Sequence, residues 1–187
     1  VANQRNRFIR NIVKDYYLYG IYTSGTFNTL IDGNNISRPA RANIGTATSY
    51  GIYFTSLNTS ARINGNYIHG LLDVDPTSTN DVYGIYFTGV DALAGLENIV
   101  SNNAIYDIKS NGTVYGIYNT SSDNVFYYHN TISLDDPAST STEVTRGFYQ
   151  TTAAAGIELR NNLITIRRGG TGQMHGLFFN TTTSTIV

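Results

Sequence analysis

Cysteine and tryptophan are absent from this 187-residue chain, methionine occurs once, and three prolines are its only proline breaks. Without cysteine there is no disulfide framework and no thiolate metal site. Charged residues make up 13% of the chain, about half the ~25% of a usual soluble domain. The formal net charge is −1, and no basic stripe or acidic tail stands out. Nucleic acid and anionic membranes are therefore not expected as partners. No apolar run reaches the ~18 residues of a membrane-spanning helix. The first residues carry no signal-peptide pattern.

What is abundant is glycine, with 18 residues, and aromatics, with 15 Tyr and 8 Phe. Thr, Ser and Asn fill much of the rest. Aromatic and β-branched residues with little charge argue for sheet over helix.

The strongest signal is internal repetition. Tyr-Gly-Ile-Tyr occurs at 19–22, 50–53, 83–86 and 115–118, with weaker copies at 146–149 and 175–178. Their glycines, Gly20, Gly51, Gly84, Gly116, Gly147 and Gly176, are spaced by 31, 33, 32, 31 and 29 residues. A second motif, apolar-x-x-Asn-x-Ile/Val, interleaves with the first. Its asparagines are Asn11, Asn34, Asn66, Asn103, Asn130 and Asn162. The intervening lengths vary, which points to unequal loops.

Each repeat holds two or three short strand-like runs separated by turn residues. It is too short for a propeller blade of ~40–45 residues. Stacked coils fit: each coil adds one strand to each of two or three parallel sheets, at ~4.8 Å per coil. The sequence thus predicts an all-β, right-handed parallel β-helix of about six coils of 29–33 residues, forming one domain over 1–187.

Strand parity places Ile21, Ile52, Ile85, Ile117, Phe148 and Leu177 inside and Tyr22, Tyr53, Tyr86, Tyr118, Tyr149 and Phe178 outside. Ser24, Thr55, Thr88, Thr120, Thr151 and Asn180 form the next outward column. The apolar residues flanking each Asn are five apart, so a bend must return both to the interior. Asn suits such a bend through its tolerance of the left-handed conformation. Stacked asparagines can also form an amide ladder between coils.

The stretches Asn124-Val-Phe-Tyr-Tyr-His-Asn130-Thr-Ile132 and Leu159-Arg-Asn-Asn162-Leu-Ile164 resemble the turn-and-strand signature of the pectin-lyase-like superfamily. Gly147-Phe-Tyr-Gln-Thr-Thr, Gly156-Ile-Glu-Leu-Arg-Asn-Asn162 and Arg168-Gly-Gly-Thr-Gly172 resemble large secreted repeat proteins of the Bacteroidetes. The resemblance implies a β-helix and an extracellular or bacterial cell-surface location. It leaves function open, since lyases, hydrolases, adhesins and spacers share the fold.

Carbohydrate-cleaving members of that superfamily use clustered acids, sometimes with calcium. Here Asp73 and Asp75 precede one proline, and Asp135 and Asp136 another. They are candidates for an acid–base pair or a Ca²⁺ site. The plainer reading is a surface turn started by Asp before Pro. The Asn-Thr-Asp, Gly-His-Gly and Arg-Ile-Lys strings of polygalacturonase-like enzymes are missing. His69, His129 and His175 fall in different columns, which disfavours a three-His metal site. Arg167 and Arg168 read as a solvated loop.

The outward Tyr column is the leading candidate for a glycan or partner surface. The expected function is a non-catalytic structural or adhesive module without a cofactor. The rivals are a polysaccharide lyase or hydrolase, and a filament subunit stacking end to end. Neither end reads as a polar cap, which suggests a piece of a longer rod or identical subunits joined head to tail.

Overall fold

The computed structural model describes residues 3–41, 47–181 and 184. Among them every regular element is a strand. Three parallel sheets of six strands each run along the molecule. The first holds Arg7–Ile9, Leu30–Asp32, Arg62–Asn64, Asn98–Ser101, Val125–Tyr128 and Glu158–Arg160. The second holds Ile12–Lys14, Asn35–Arg38, Tyr67–Leu71, Ala104–Ile108, Thr131–Asp136 and Leu163–Arg168. The third holds Tyr19–Ser24, Ser49–Thr55, Val82–Thr88, Val114–Thr120, Thr145–Thr151 and Met174–Asn180. Equal repeat positions pair: Ile85 with Ile52 and Ile117, and Ile68 with Ile36 and Ile105. The chain is an all-β parallel β-helix of about six coils. Val1 and Val187, at which the end expectation was framed, lie outside the described residues.

The core is a set of aligned columns. Ile31, Ile63, Val100 and Tyr127 come from the first sheet, and Ile36, Ile68, Ile105 and Ile132 from the second. Ile21, Ile52, Ile85, Ile117 and Phe148 come from the third. All are buried. Leu177 holds the same position but is 54% exposed, because no described coil covers that rim.

The third sheet departs from simple alternation. In Ser49–Thr55 both Gly51 and Ile52 face the interior, so Tyr50 and Tyr53 both face outward. Glycine is required for steric reasons. A Cβ on Gly51 would lie 2.6 Å from the carbonyl oxygen of Gly84 and 2.6 Å from Cγ2 of Ile68. Gly20, Gly84 and Gly116 face the same pair of obstacles. The glycine column thus marks where the third sheet's backbone touches the isoleucines of the second.

Between the first two sheets the asparagines form a continuous ladder. Asn66 donates its backbone N–H and one Nδ2–H to Oδ1 of Asn103, at 3.0 and 2.9 Å. Its second Nδ2–H goes back to the Ile31 carbonyl. Asn34, Asn103 and Asn130 repeat this pattern, joining Asn11 at one end to Asn162 at the other. Asn34, Asn66, Asn103 and Asn130 are buried.

One detail differs from the sequence expectation. The left-handed residue at the bend is the one before each asparagine: Arg10, Gly33, Gly65, Asn102, His129 and Asn161, with φ between 52° and 63°. The ladder asparagine turns its side chain along the axis, while its neighbour makes the bend. This position tolerates glycine or a strained residue, which explains its variety.

Replacing Asn103 by Leu leaves buried carbonyl and amide groups unpaired and should cost roughly 1–3 kcal/mol in denaturant unfolding. Asn11→Leu at the rim should cost clearly less; equal small losses would contradict the ladder's role. Gly84→Ala should cost about 1–3 kcal/mol through overpacking. Gly176→Ala should be close to neutral, because nothing lies within 4 Å of its added Cβ.

Candidate functional site: paired tyrosine columns

The inward-facing glycine doubles the aromatic face. Tyr22, Tyr53, Tyr86, Tyr118 and Tyr149, the expected column, stack at centroid distances of 5.4, 5.0, 4.9 and 4.7 Å. Tyr19, Tyr50, Tyr83 and Tyr115 form a second column at 5.3, 5.0 and 5.2 Å. Within one coil the two columns touch, as at Tyr50–Tyr53, 4.9 Å apart. Parity alone sends the second column inward, which is why the sequence reading missed it. The signal was the glycine within the strand, a common mark of close backbone approach.

These rings shield one another. Tyr22 at the rim is 49% exposed, whereas Tyr149 near the other end is 9% exposed. Arg146 continues the second column after Tyr115. Its guanidinium lies 4.0 Å from the Tyr149 ring centroid and 4.1 Å from that of Phe178, and Nη1 donates to the Tyr115 hydroxyl at 3.0 Å. Such packing holds a charge by cation–π attraction. His175 follows in the same column, 4.6 Å from Phe178.

Crowding changes the phenols. Burial, followed by the neighbouring phenols, pushes Tyr50 and Tyr118 up to about 12. Burial also raises Tyr53, Tyr83, Tyr86 and Tyr115. Thr55, Thr88 and Thr120, in the adjoining outward column, sit beside Tyr53, Tyr86 and Tyr118 and partly offset the rise. Tyr50, Tyr53, Tyr83, Tyr86, Tyr115 and Tyr118 are thus neutral phenols over the physiological range, with threonine hydroxyl groups along one side.

The acidic candidates take another arrangement. Asp75 sits in a turn, its N–H donating to the Leu72 carbonyl and its carbonyl accepting from Ser78. Asp135 is exposed and pairs in register with Arg167, while Asp136 is buried and pairs in register with Arg168. Side chains of this last pair of acids therefore diverge across the strand. Arg168 corrects the solvated-loop reading: it ends a strand and is buried. It donates to Thr145, to the Ser110 carbonyl and to Ser139.

Asp73 and Asp136, from different coils, both lie near Lys109, whose Nζ is 3.0 Å from Asp107 and 3.4 Å from the Asp135 carbonyl. Burial acts to lower the Lys109 pKa, but its bond to Asp107 and the carboxylates around it hold it above its usual value. Burial, then Asp107, raises Asp73. The cation among these acids is a lysine of the chain itself. Neither Lys109 nor Asp107 belonged to the predicted set, because loops of unequal length create this meeting. Among the described residues no group of three or more His, Asp or Glu is placed to hold a metal ion. His69 stacks on Tyr106 at 4.9 Å and contacts Asn35, while His129 occupies the bend.

Searches against protein-family models, curated proteins and solved structures give no match.

A phenol whose folded pKa is raised stabilises the fold fully below pH 10 and loses that contribution as pH rises through the folded value. Tyrosinate absorbance should therefore show Tyr50 and Tyr118 ionising near pH 12. Unfolding stability should fall between pH 10 and 12. Complete ionisation of all phenols near pH 10 in folded protein would contradict the packing.

Proposed function

We propose that this chain is a non-catalytic, extracellular structural or adhesive module of a bacterial surface protein, of pectin-lyase-like kind, that binds glycans along its tyrosine face. The carrying observation is the double column of contacting phenols on the third sheet. The stacked rings turn their edges and hydroxyls outward, where sugar hydroxyls can bond to phenols and threonines and apolar C–H groups can pack on ring edges. The repeat of one coil offers equivalent sites along the rod, which suits an extended polymer more than a single small ligand. Low charge on this face supports neutral sugars, with Arg146 able to meet an occasional carboxylate.

The non-catalytic part rests on acids that are tied to a lysine of the chain or to a turn. Glycosidic cleavage commonly uses two carboxylates flanking the bond. Here Asp107 is bonded to Lys109 and Asp75 lies in a turn.

The test is calorimetric titration with neutral and uronic-acid oligosaccharides, paired with product analysis after incubation with the matching polysaccharides, with and without Ca²⁺. The expected result is binding without cleavage. Tyr53→Ala with Tyr86→Ala should weaken it at least tenfold while far-UV circular dichroism is unchanged. No binding by any glycan, or binding indifferent to both substitutions, would contradict the glycan reading. Turnover abolished by Asp135→Asn or Asp75→Asn would contradict the non-catalytic one.

A further inference from the structure

The tyrosine columns bring phenols of successive coils close enough for covalent coupling. Two phenols join when each loses one electron and one proton and the resulting radicals bond through ring carbons ortho to the oxygen. The joined rings are twisted about the new bond, so the reaction favours neighbours that are inclined and meet at their edges. Tyr50–Tyr83, Tyr53–Tyr86 and Tyr118–Tyr149 are close to parallel, at interplanar angles of 11°, 15° and 11°. These pairs meet face to face. They can hand a radical from one phenol to a chemically identical neighbour, but they do not set edge against edge. Four pairs between coils are inclined: Tyr86–Tyr118 at 4.9 Å and 43°, Tyr83–Tyr115 at 5.2 Å and 55°, Tyr115–Tyr149 at 5.1 Å and 52°, and Tyr50–Tyr86 at 5.5 Å and 40°.

Charge and exposure choose among the four. Arg146 lies 5.4 Å from the Tyr115 ring centroid and 4.0 Å from that of Tyr149. A fixed cation at that range opposes electron loss from both rings. Tyr115 and Tyr149 are also buried, at 8% and 9% exposure. Tyr86 and Tyr118 lie in the other column from Tyr115, partly exposed, and the ring contacts of Arg146 are with Tyr115, Tyr149 and Phe178. Tyr50–Tyr86 is the longest of the inclined pairs. Tyr86–Tyr118 therefore combines the shortest approach with access to solvent and distance from the cation.

We infer that Tyr86 and Tyr118 are an oxidative modification site, joined by a one-electron oxidant that draws on a peroxide into a dityrosine bonded Cε to Cε. Each phenol gives up one electron and releases its hydroxyl proton to water. The two radicals pair to form the carbon–carbon bond. Each bonded Cε then passes its hydrogen, through water, to its own ring oxygen and restores the hydroxyl. The product is two hydrogen atoms lighter. Hydrogen peroxide takes up the two electrons and two protons as its O–O bond breaks, and leaves as two waters. The bond staples successive coils of a chain that has no cysteine, closing a loop as a disulfide would. It uses the phenols themselves and no bound sugar, so it stands apart from the glycan reading.

The test is illumination of dilute folded protein with a ruthenium trisbipyridyl photo-oxidant and persulfate, itself a peroxide, followed by trypsin digestion of the monomer band and mass spectrometry. Cleavage after Arg62, Lys109 and Arg146 places Tyr86 in peptide 63–109 and Tyr118 in peptide 110–146. The expected product is these two peptides joined, two hydrogen atoms short of their summed mass, with fragmentation placing the bond at Tyr86 and Tyr118. Tyr118→Phe keeps a ring in the stack but removes the phenol, and should cut the joined product at least tenfold. Tyr67→Phe should leave it unchanged, although Tyr67 is 54% exposed, because that residue lies on the second sheet. Circular dichroism confirms that each variant is folded. Oxidised monomer without the joined peptides would overturn the inference. So would a bond placed at Tyr67 or Tyr106 instead of Tyr86, or a Tyr118→Phe protein that joins the peptides as well as the original.

Discussion

One amide side chain per coil sets the register of this molecule. Burying an asparagine is unfavourable unless its amide is fully bonded. Here Asn34, Asn66, Asn103 and Asn130 each spend both donors and both lone pairs on neighbouring coils. The bonds are satisfied only when successive coils lie directly above one another. A slip of one residue would strand the amides and turn the flanking isoleucines outward. Low charge and the absence of disulfides make this internal constraint more important, and it runs through every described coil from Asn11 to Asn162.

The other columns follow from that alignment. Once the asparagines are aligned, Ile36, Ile68, Ile105 and Ile132 stack two residues later and present their methyl groups to the third sheet. The third sheet comes close enough to touch them only at glycine. With glycine and isoleucine side by side on the inward face, two tyrosines per coil turn to the same outer face. The exterior aromatic surface is therefore a consequence of interior packing, and its ring spacing is the spacing of the coils.

Much of this was legible in the sequence because repetition exposes columns. The asparagines, the inward isoleucines and the outward Tyr22–Tyr149 column were placed by period and parity. Parity failed at Tyr19, Tyr50, Tyr83 and Tyr115, where two inward residues stand side by side. It failed also to separate the ladder asparagine from its left-handed neighbour, because Asn occupies both positions at 102–103 and 161–162. The meeting of Asp73, Asp107 and Asp136 around Lys109 was out of reach, since it depends on loops that obey no repeat. Burial of Arg168 was likewise hidden: only the inward side of its strand tells it apart from Arg167.

The central claim is that the asparagine amides are bonded along the axis from coil to coil. Hydrogen exchange of the side-chain amide protons, followed by NMR, reads this directly. The account predicts that the Nδ2 protons of Asn66 and Asn103 exchange only as the coils open, slower by orders of magnitude than those of exposed Asn102. Exchange from Asn66 and Asn103 as fast as from Asn102, in protein that is otherwise folded, would contradict it.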